Sequence, residues 1–418
     1  MPDMKEILFT LPEQGNHCGV LSSIYQALAA EMRRRQWKVD VISPSDENFL
    51  LKILTVGQKE EAILFFGHFF YDLRFSAQNH FRETSIAEMI RAPIGLEIGD
   101  HPFSRFMWER IQHTHENSFM FAPEPGYFEA ALLLQPKLRN FRRIQFPISF
   151  APVEQLTPFD QRPIDLLVPM TVATGKSIDE VMATFPKGCD SRKLAEAIYE
   201  NLRANRNDYP LTILRSLMLE LFSRELPSVR NGQDILLGAF AVLSDIESCI
   251  RSERRVEFLS HLLKDVRGRR VLVLDRGLPK SLKTPNVVIQ PPVDAGTLGK
   301  LMGQSKLLAH CHPTYPLGLH ERIINGMASG CVVVSDFAPC LEESFQNYRE
   351  LIWTQSPLVL NDLFADYTDD HLKGIASNAY RQAWEAYSPA NHMDIILETM
   401  GFTNSSPLEA ALSSASVK

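Results

Sequence analysis

The run His310–Asp336, HCHPTYPLGLHERIINGMASGCVVVSD, carries the densest set of chemically capable side chains in the sequence. An apolar stretch ends near His310, and a loop with two prolines and Gly318 follows. Helical spacing then runs over Leu319–Ser329, with Ile323, Ile324 and Met327 on its apolar face, and Gly330 closes it. A helix start behind such a loop offers unpaired N–H groups and the positive end of the helix dipole, which suit a phosphate. Arg322 in the first turn adds a guanidinium that is always charged and forked for oxyanions. Glu321 is an acceptor suited to ribose hydroxyls. Tyr315, Gly318, Leu319 and His320 belong to the same candidate site. His310 and His312 flank Cys311 and place two imidazoles on one side of the chain. Two histidines without a third convergent ligand do not make a zinc site, so His312 is read as a group beside a phosphate.

A second phosphate candidate is Val168–Ser177, VPMTVATGKS, directly after an apolar run. It nearly spells G-x-x-x-x-G-K-S, but Met170 stands where the first glycine lets a backbone wrap phosphates. Thr171 and Lys176 are its polar candidates. Proton transfer is assigned to the first third of the chain. Asp100 and His101 follow the apolar run Ile94–Ile98, and either side chain reaches a useful pKa with modest tuning; Asp100 serves equally well as a helix cap. His17, in the first glycine-containing loop, is a third candidate. Glu124 in a Pro-Glu-Pro-Gly turn and His68 among four phenylalanines read as structural. No Asp-x-Asp occurs, so the carboxylate pair that holds Mg²⁺ on a diphosphate is missing, and no metal is expected.

The elements that position these residues alternate along the chain. Lys5–Thr10, Val39–Ile42, Ala62–Phe66, Ile94–Ile98, Ser118–Phe121 and Arg143–Phe146 read as strands, separated by helical segments such as Leu21–Arg35. A Pro-rich polar stretch, Ala151–Pro163, then breaks the pattern. Strands resume at Ile164–Val168, Arg270–Leu274, Asn286–Ile289, Leu307–His310 and Cys331–Ser335. Between the first two of these lies a long helical insertion, and Leu358–Ser388 is helical again. Strands alternating with helices imply parallel sheets covered on both faces. The expected architecture is α/β: two Rossmann-like domains facing a cleft, 1–152 and 164–400. They are joined by a linker at 153–163, with a helical insertion over 177–266 and a flexible tail at 401–418. Ligands in such folds bind beyond the carboxyl ends of the strands.

Composition sets outer limits. The 418 residues include 43 Lys plus Arg and 50 Asp plus Glu, a net charge of −7 that argues against a nucleic-acid partner. No apolar run is long enough for a membrane span. Six scattered cysteines without a C-x-x-C pair argue against a disulfide framework, and the expected location is cytoplasmic.

The segment GLHERIINGMASGCVVVSD resembles the nucleotide-sugar signature of glycosyltransferases with two Rossmann domains, the GT-B fold. It is most similar to the group whose C-terminal domain is like that of the spore-maturation (CgeB-like) transferases. Ile94–Phe103, Phe146–Pro152 and Asp165–Val168 extend the likeness more weakly. Larger retaining relatives carry two glutamates eight positions apart here; in this chain the positions are Leu317 and Asn325, so that pair is not carried over. The resemblance implies Glu321 on the ribose, Arg322 on the diphosphate, and Thr171 and Lys176 beside it. It implies sugar transfer from a nucleotide-diphosphate sugar to an acceptor hydroxyl, without metal or other cofactor, in a cleft that closes to exclude water. The acceptor is a glycan, a protein or a small molecule. A nucleotide-sugar epimerase on the same fold, and a non-catalytic nucleotide-sugar-binding or scaffold protein with a partner on the helical insertion, fit the same residues.

Overall fold

The structure is a computed structural model that describes residues 5–11, 19–67, 74–76, 83–150, 156–172, 176–275, 278–312 and 314–402. The first half contains strands β1 (Glu6–Thr10), β2 (Lys38–Ile42), β3 (Ala62–Gly67), a small pair β4 (Arg74–Ser76) and β5 (Glu83–Ser85), β6 (Ile94–Glu97), β7 (Phe119–Ala122) and β8 (Asn140–Arg143). Its helices are α1 (Val20–Arg34), α2 (Phe49–Gly57), α3 (Trp108–Gln112) and α4 (Pro125–Leu134). The second half begins at β9 (Ile164–Val168), and four helices interrupt it: α5 (Ile178–Ala183), α6 (Asp190–Ala204), α7 (Pro210–Phe222) and α8 (Val229–Leu262). Strands β10 (Val271–Leu274), β11 (Val287–Gln290), β12 (Ser305–His310), β13 (Val332–Asp336) and β14 (Ile352–Thr354) follow. Between and after them come α9 (Ala295–Gly303), α10 (Glu321–Ala328), α11 (Pro339–Ser344), α12 (Leu360–Asp366), α13 (Asp369–Ala386) and α14 (Pro389–Thr399).

Each half is a six-stranded sheet, ordered β2-β1-β3-β6-β7-β8 and β11-β10-β9-β12-β13-β14, and every pairing within the two is parallel. The fully buried runs of β1, β3, β10 and β12 are what a sheet covered on both faces demands. The strand order reverses direction between β1 and β3, and again between β9 and β12. Those reversals open a crevice at the carboxyl ends of the strands. One strand sits earlier than its apolar pattern suggests. The segment Asn140–Arg143 pairs with β7 and the Ile144 amide still donates to the Ala122 carbonyl at 3.0 Å, whereas Phe146, expected as strand, and Ile148 lie beyond the ladder in the core. The linker's Arg162 is 3% exposed and donates to the carbonyls of Ser305 and Gly330 at 2.8 and 2.6 Å. Gly330 itself has φ +71°, and a Cβ there would lie 2.9 Å from that guanidinium, so glycine is required on both counts.

The halves are not separate bodies. One buried cluster joins Phe121, Ile144, Phe146 and Ile148 of the first half to Leu319, Ile323 and Met327 of the second. Helix α14 comes last in the chain but packs on α1, where Arg35 bonds Asp394 at 2.5 Å and the Ala390 carbonyl at 2.9 Å. The helical insertion makes the larger bridge. Leu194, Ile198, Leu214, Leu243 and Ile246 from α6, α7 and α8 share a core with Ile98, Phe103, Met120, Tyr127 and Leu134 of the first half. The apolar face of the helical insertion is thus covered within the chain. Together these contacts form a strut across the halves, and separating the halves would expose both shared cores.

Tyr209, just before α7, seals this joint by lying on Gly126 at the start of α4. A Cβ at Gly126 would meet its ring at 2.3 Å. Gly126→Ala is expected to lower stability by about 1–3 kcal/mol through overpacking. Denaturant midpoints of the variant and the wild type measure this, and an unchanged midpoint would refute the tight seal.

Candidate functional site

The loop after β12 and the start of α10 lie at the crevice of the second sheet, but the first half holds the loop in place. The Leu317 amide donates to Glu124 Oε2 at 2.8 Å, and the Leu319 amide to Gln145 Oε1 at 2.7 Å. Arg143 Nη2 donates to the Leu317 carbonyl at 2.5 Å. Gly318 packs so closely that a Cβ would sit 3.2 Å from Pro123. These loop amides, expected from the sequence to cradle a phosphate, are engaged across the joint between the halves. Glu124 is thus structural: it also caps α4 through the Gly126 amide at 3.1 Å. The residues left to receive a ligand at the helix start present side chains.

His320 is the N-cap of α10; its Nδ1 lies 3.2 Å from the Arg322 amide and 2.6 Å from Glu321 Oε2. Burial works to raise the Glu321 pKa, but the His320 imidazole and the Arg322 guanidinium outweigh it and hold the carboxylate below its usual range. Arg322 Nη1 is buried with no hydrogen-bond partner. His310 is fully buried, and neither of its ring nitrogens has a partner. Burial, with His320, His312 and the Arg322 and Arg255 charges, pushes its pKa well down, so the ring is neutral.

Two further cations reach this place from α8, and sequence reading passed over both. Arg255 is 8% exposed; its Nη1 donates to the Thr171 carbonyl at 2.7 Å, and its Nε has no partner. Burial and then the charges of Arg251 and Arg322 bring its pKa down to about 10. Arg251 pairs with Glu247 at 3.3 Å, and its Nε is also unpartnered. The only signal was the i, i+4 spacing of Arg251 and Arg255, which puts both on one face of a helix. Arg255 and Arg322, each with an unsatisfied buried N–H donor, thus converge beside a neutral histidine, and Arg251, with another, acts on Arg255 from one turn before it on α8. Glu247 and Glu321 offset part of this positive charge, and the donors left over are costly unless an anion completes them.

The other expected residues fall as follows. Thr171 and Lys176 are exposed, and the contacts that fix them go through their carbonyls, to Arg255 and to Cys249 Sγ at 3.2 Å. Tyr315 is buried with its ring parallel to that of His320, the centroids 6.3 Å apart. His312 borders the cluster, its ring 5.5 Å from that of His310; its amide donates to Asp336 at 2.6 Å, and its Nε2 lies 3.1 Å from Cys340 Sγ. Asp100 is partly exposed, and its charge is felt by Arg251, Tyr127 and Tyr315. His17 and His68 lie outside the described residues. Among the described residues, no three His, Cys, Asp or Glu side chains converge as metal ligands do.

His101 does not line an open rim. It is 4% exposed, stacked on Phe103 at 4.4 Å, and its Nε2 is 3.1 Å from Thr314 Oγ1, whose hydroxyl donates to Glu247. Burial lowers its pKa to about 4, with the Glu247 charge opposing. A base so weak and so enclosed is a poor proton acceptor at neutral pH. Its place is in a clamp joining the first half, the β12 loop and α8.

Residues 253–398 match a family described as glycosyl transferase-like. This region starts within α8 and contains Arg254, Arg255 and the whole β12 loop. No curated protein sequence matches the chain. Among solved structures, an alpha-glucosyltransferase in complex with UDP superposes with a TM-score of 0.54 at 10% identity, over 95% of this chain and 99% of that one. AviGT4, a glycosyltransferase involved in avilamycin A biosynthesis, gives 0.50 at 9% identity, over 95% and 97%. Anabaena Alr3699/HepE in complex with UDP and glucose gives 0.44 at 12% identity, over 96% and 100%. At these identities the first two establish a shared fold, the two-Rossmann GT-B architecture.

The His101 ring is expected to stay neutral from pH 8 down to about 5 and to take up its proton only near 4. Its imidazole NMR shifts report this directly, and a midpoint near the ordinary 6.5 would refute the closed clamp.

Proposed function

We propose that the protein is a glycosyltransferase that moves a sugar from a nucleotide-diphosphate sugar to an acceptor hydroxyl without a metal ion. The observation that carries this reading is the set of unpaired, buried guanidinium donors of Arg251, Arg255 and Arg322 at the reversal of the second sheet. A diphosphate supplies the missing negative charge, and the same donors stabilise the charge that develops on the leaving group. The family match over residues 253–398 supports the choice of sugar chemistry. Glu321, ionised and steered by His320, accepts from the ribose hydroxyls. Asp100, in the first half and partly exposed, takes the proton of the acceptor hydroxyl. Thr171 and Lys176 flank the diphosphate from the β9 loop. The acceptor is a glycan, a protein or a small molecule.

Thermal unfolding with UDP, GDP, ADP and CMP, with and without EDTA, tests the donor site. At about 100 times its dissociation constant a nucleotide adds about 2.7 kcal/mol, a readily measured shift. One nucleotide should stabilise the protein equally in EDTA; the absence of any shift would overturn the reading. Arg322→Ala is expected to weaken that nucleoside diphosphate by about 1.5–3 kcal/mol while leaving the bare nucleoside nearly unchanged. Equal losses would remove Arg322 from the diphosphate. Asp100→Asn should abolish transfer yet keep the thermal shift, and retained turnover would assign the proton to another group.

A further inference from the structure

A cavity of about 410 Å³ lies between α8, the end of α6 and the loops after β12, β13 and β14. Arg251, Arg255, Arg322 and His310 do not line it, so it is a different site from the one proposed for the donor; the β12 loop contributes only His312 and Pro316. Its volume falls within the range of small-molecule pockets.

Arg254 supplies its main charge. The residue is 7% exposed, and its guanidinium donates to the carbonyls of Leu202 at 2.7 Å and Arg206 at 3.5 Å. No carboxylate stands within ion-pair distance of it among the described residues. A guanidinium has five N–H donors, so donors remain for a ligand. Burial, then the Arg206 charge, lowers its pKa, and the more distant Asp336 carboxylate offsets them only in part. The second cation, Arg206, is already paired with Glu257. Asp336 adds a carboxylate to the lining, with one oxygen accepting the His312 amide. Phe258, Phe337 and Leu358 give the cavity apolar walls.

An unpaired buried cation, carboxylates that accept from hydroxyls and flat apolar walls together match one class of ligand. We infer that this cavity is a second binding site, for a sugar carrying a phosphate or carboxylate. The anion meets Arg254, the hydroxyls meet Asp336 and Glu257, and the ring lies against the phenylalanines. This site is independent of the donor reading and goes beyond it.

Calorimetric titration of the full chain with glucose 6-phosphate, glucuronate and glucose tests the inference and tells phosphate from carboxylate. At least one charged sugar should bind about ten-fold or more tighter than glucose, the worth of one charged hydrogen bond. It should remain bound when UDP is added in excess. Arg254→Gln should erase the preference for the charged sugar. Because Arg254 also holds two carbonyls, a second variant guards against misfolding: Ser356→Trp, on an exposed loop at the cavity mouth, should block all three sugars and leave the UDP response intact. Three results would overturn the inference: equal affinity for charged and neutral sugars, displacement by UDP, or undiminished binding in a folded Ser356→Trp protein. Failure of the response to every nucleotide would strike the donor reading and leave this one standing.

Discussion

The Glu247 carboxylate, 3% exposed, is the point on which the arrangement of the site depends. It accepts from the Thr314 hydroxyl, pairs with Arg251 and lies 3.9 Å from His101 Nε2. Burial alone would raise its pKa, yet the Arg251 charge and the Thr314 hydroxyl hold it low and ionised. One buried anion thereby ties α8 to the loop after β12 and both to the first half. Without it, Arg251 would lose its paired carboxylate while still facing the charge of Arg255, and the β12 loop would lose its hold on the helix. A buried charge with several partners specifies position more than it adds stability.

The rest of the site is built around that fixed point. Glu124 and Gln145 receive the backbone of the β12 loop, and Asn325 returns the contact by accepting the Ser149 amide at 3.0 Å. Asn325 stands where larger relatives of the resembled family carry a glutamate, and here it holds the chain at the crossover between halves. The site is therefore preformed, so little conformational entropy has to be lost when a ligand enters.

Much of this was legible in the sequence, for physical reasons that differ by residue. Runs such as KEILFT, AILFF and RVLVL read as strands because a parallel sheet buried on both faces leaves no other composition. Gly330 and the HER turn marked the helix and its start, since left-handed backbone and first-turn charge leave local traces. The course of the helical insertion was visible only as periodicity. Which surface that periodicity buries depends on Phe103, Tyr127 and Leu134, which lie far away in the chain. Arg251 and Arg255 carry no mark in the sequence beyond their spacing on one helix face, and only the fold brings Arg255 to Thr171 and Arg322. His101 looked exposed because its turn is polar, and only the aromatic residues brought by Tyr209 and Tyr315 enclose it. The loop amides could not be assigned from sequence, because Glu124 and Gln145 lie almost two hundred residues before their partners.

The strut across the halves has a consequence for how proteins of this architecture can be recombined. Two-domain folds invite chimeras in which one half keeps its specificity while the other is exchanged. Here an exchanged first half would have to supply a carboxylate at position 124, an amide at 145 and a glycine that admits Tyr209 at 126. It would also need an apolar surface shaped to α6, α7 and α8. The two halves form a matched pair, and an exchange of either has to carry these contacts with it.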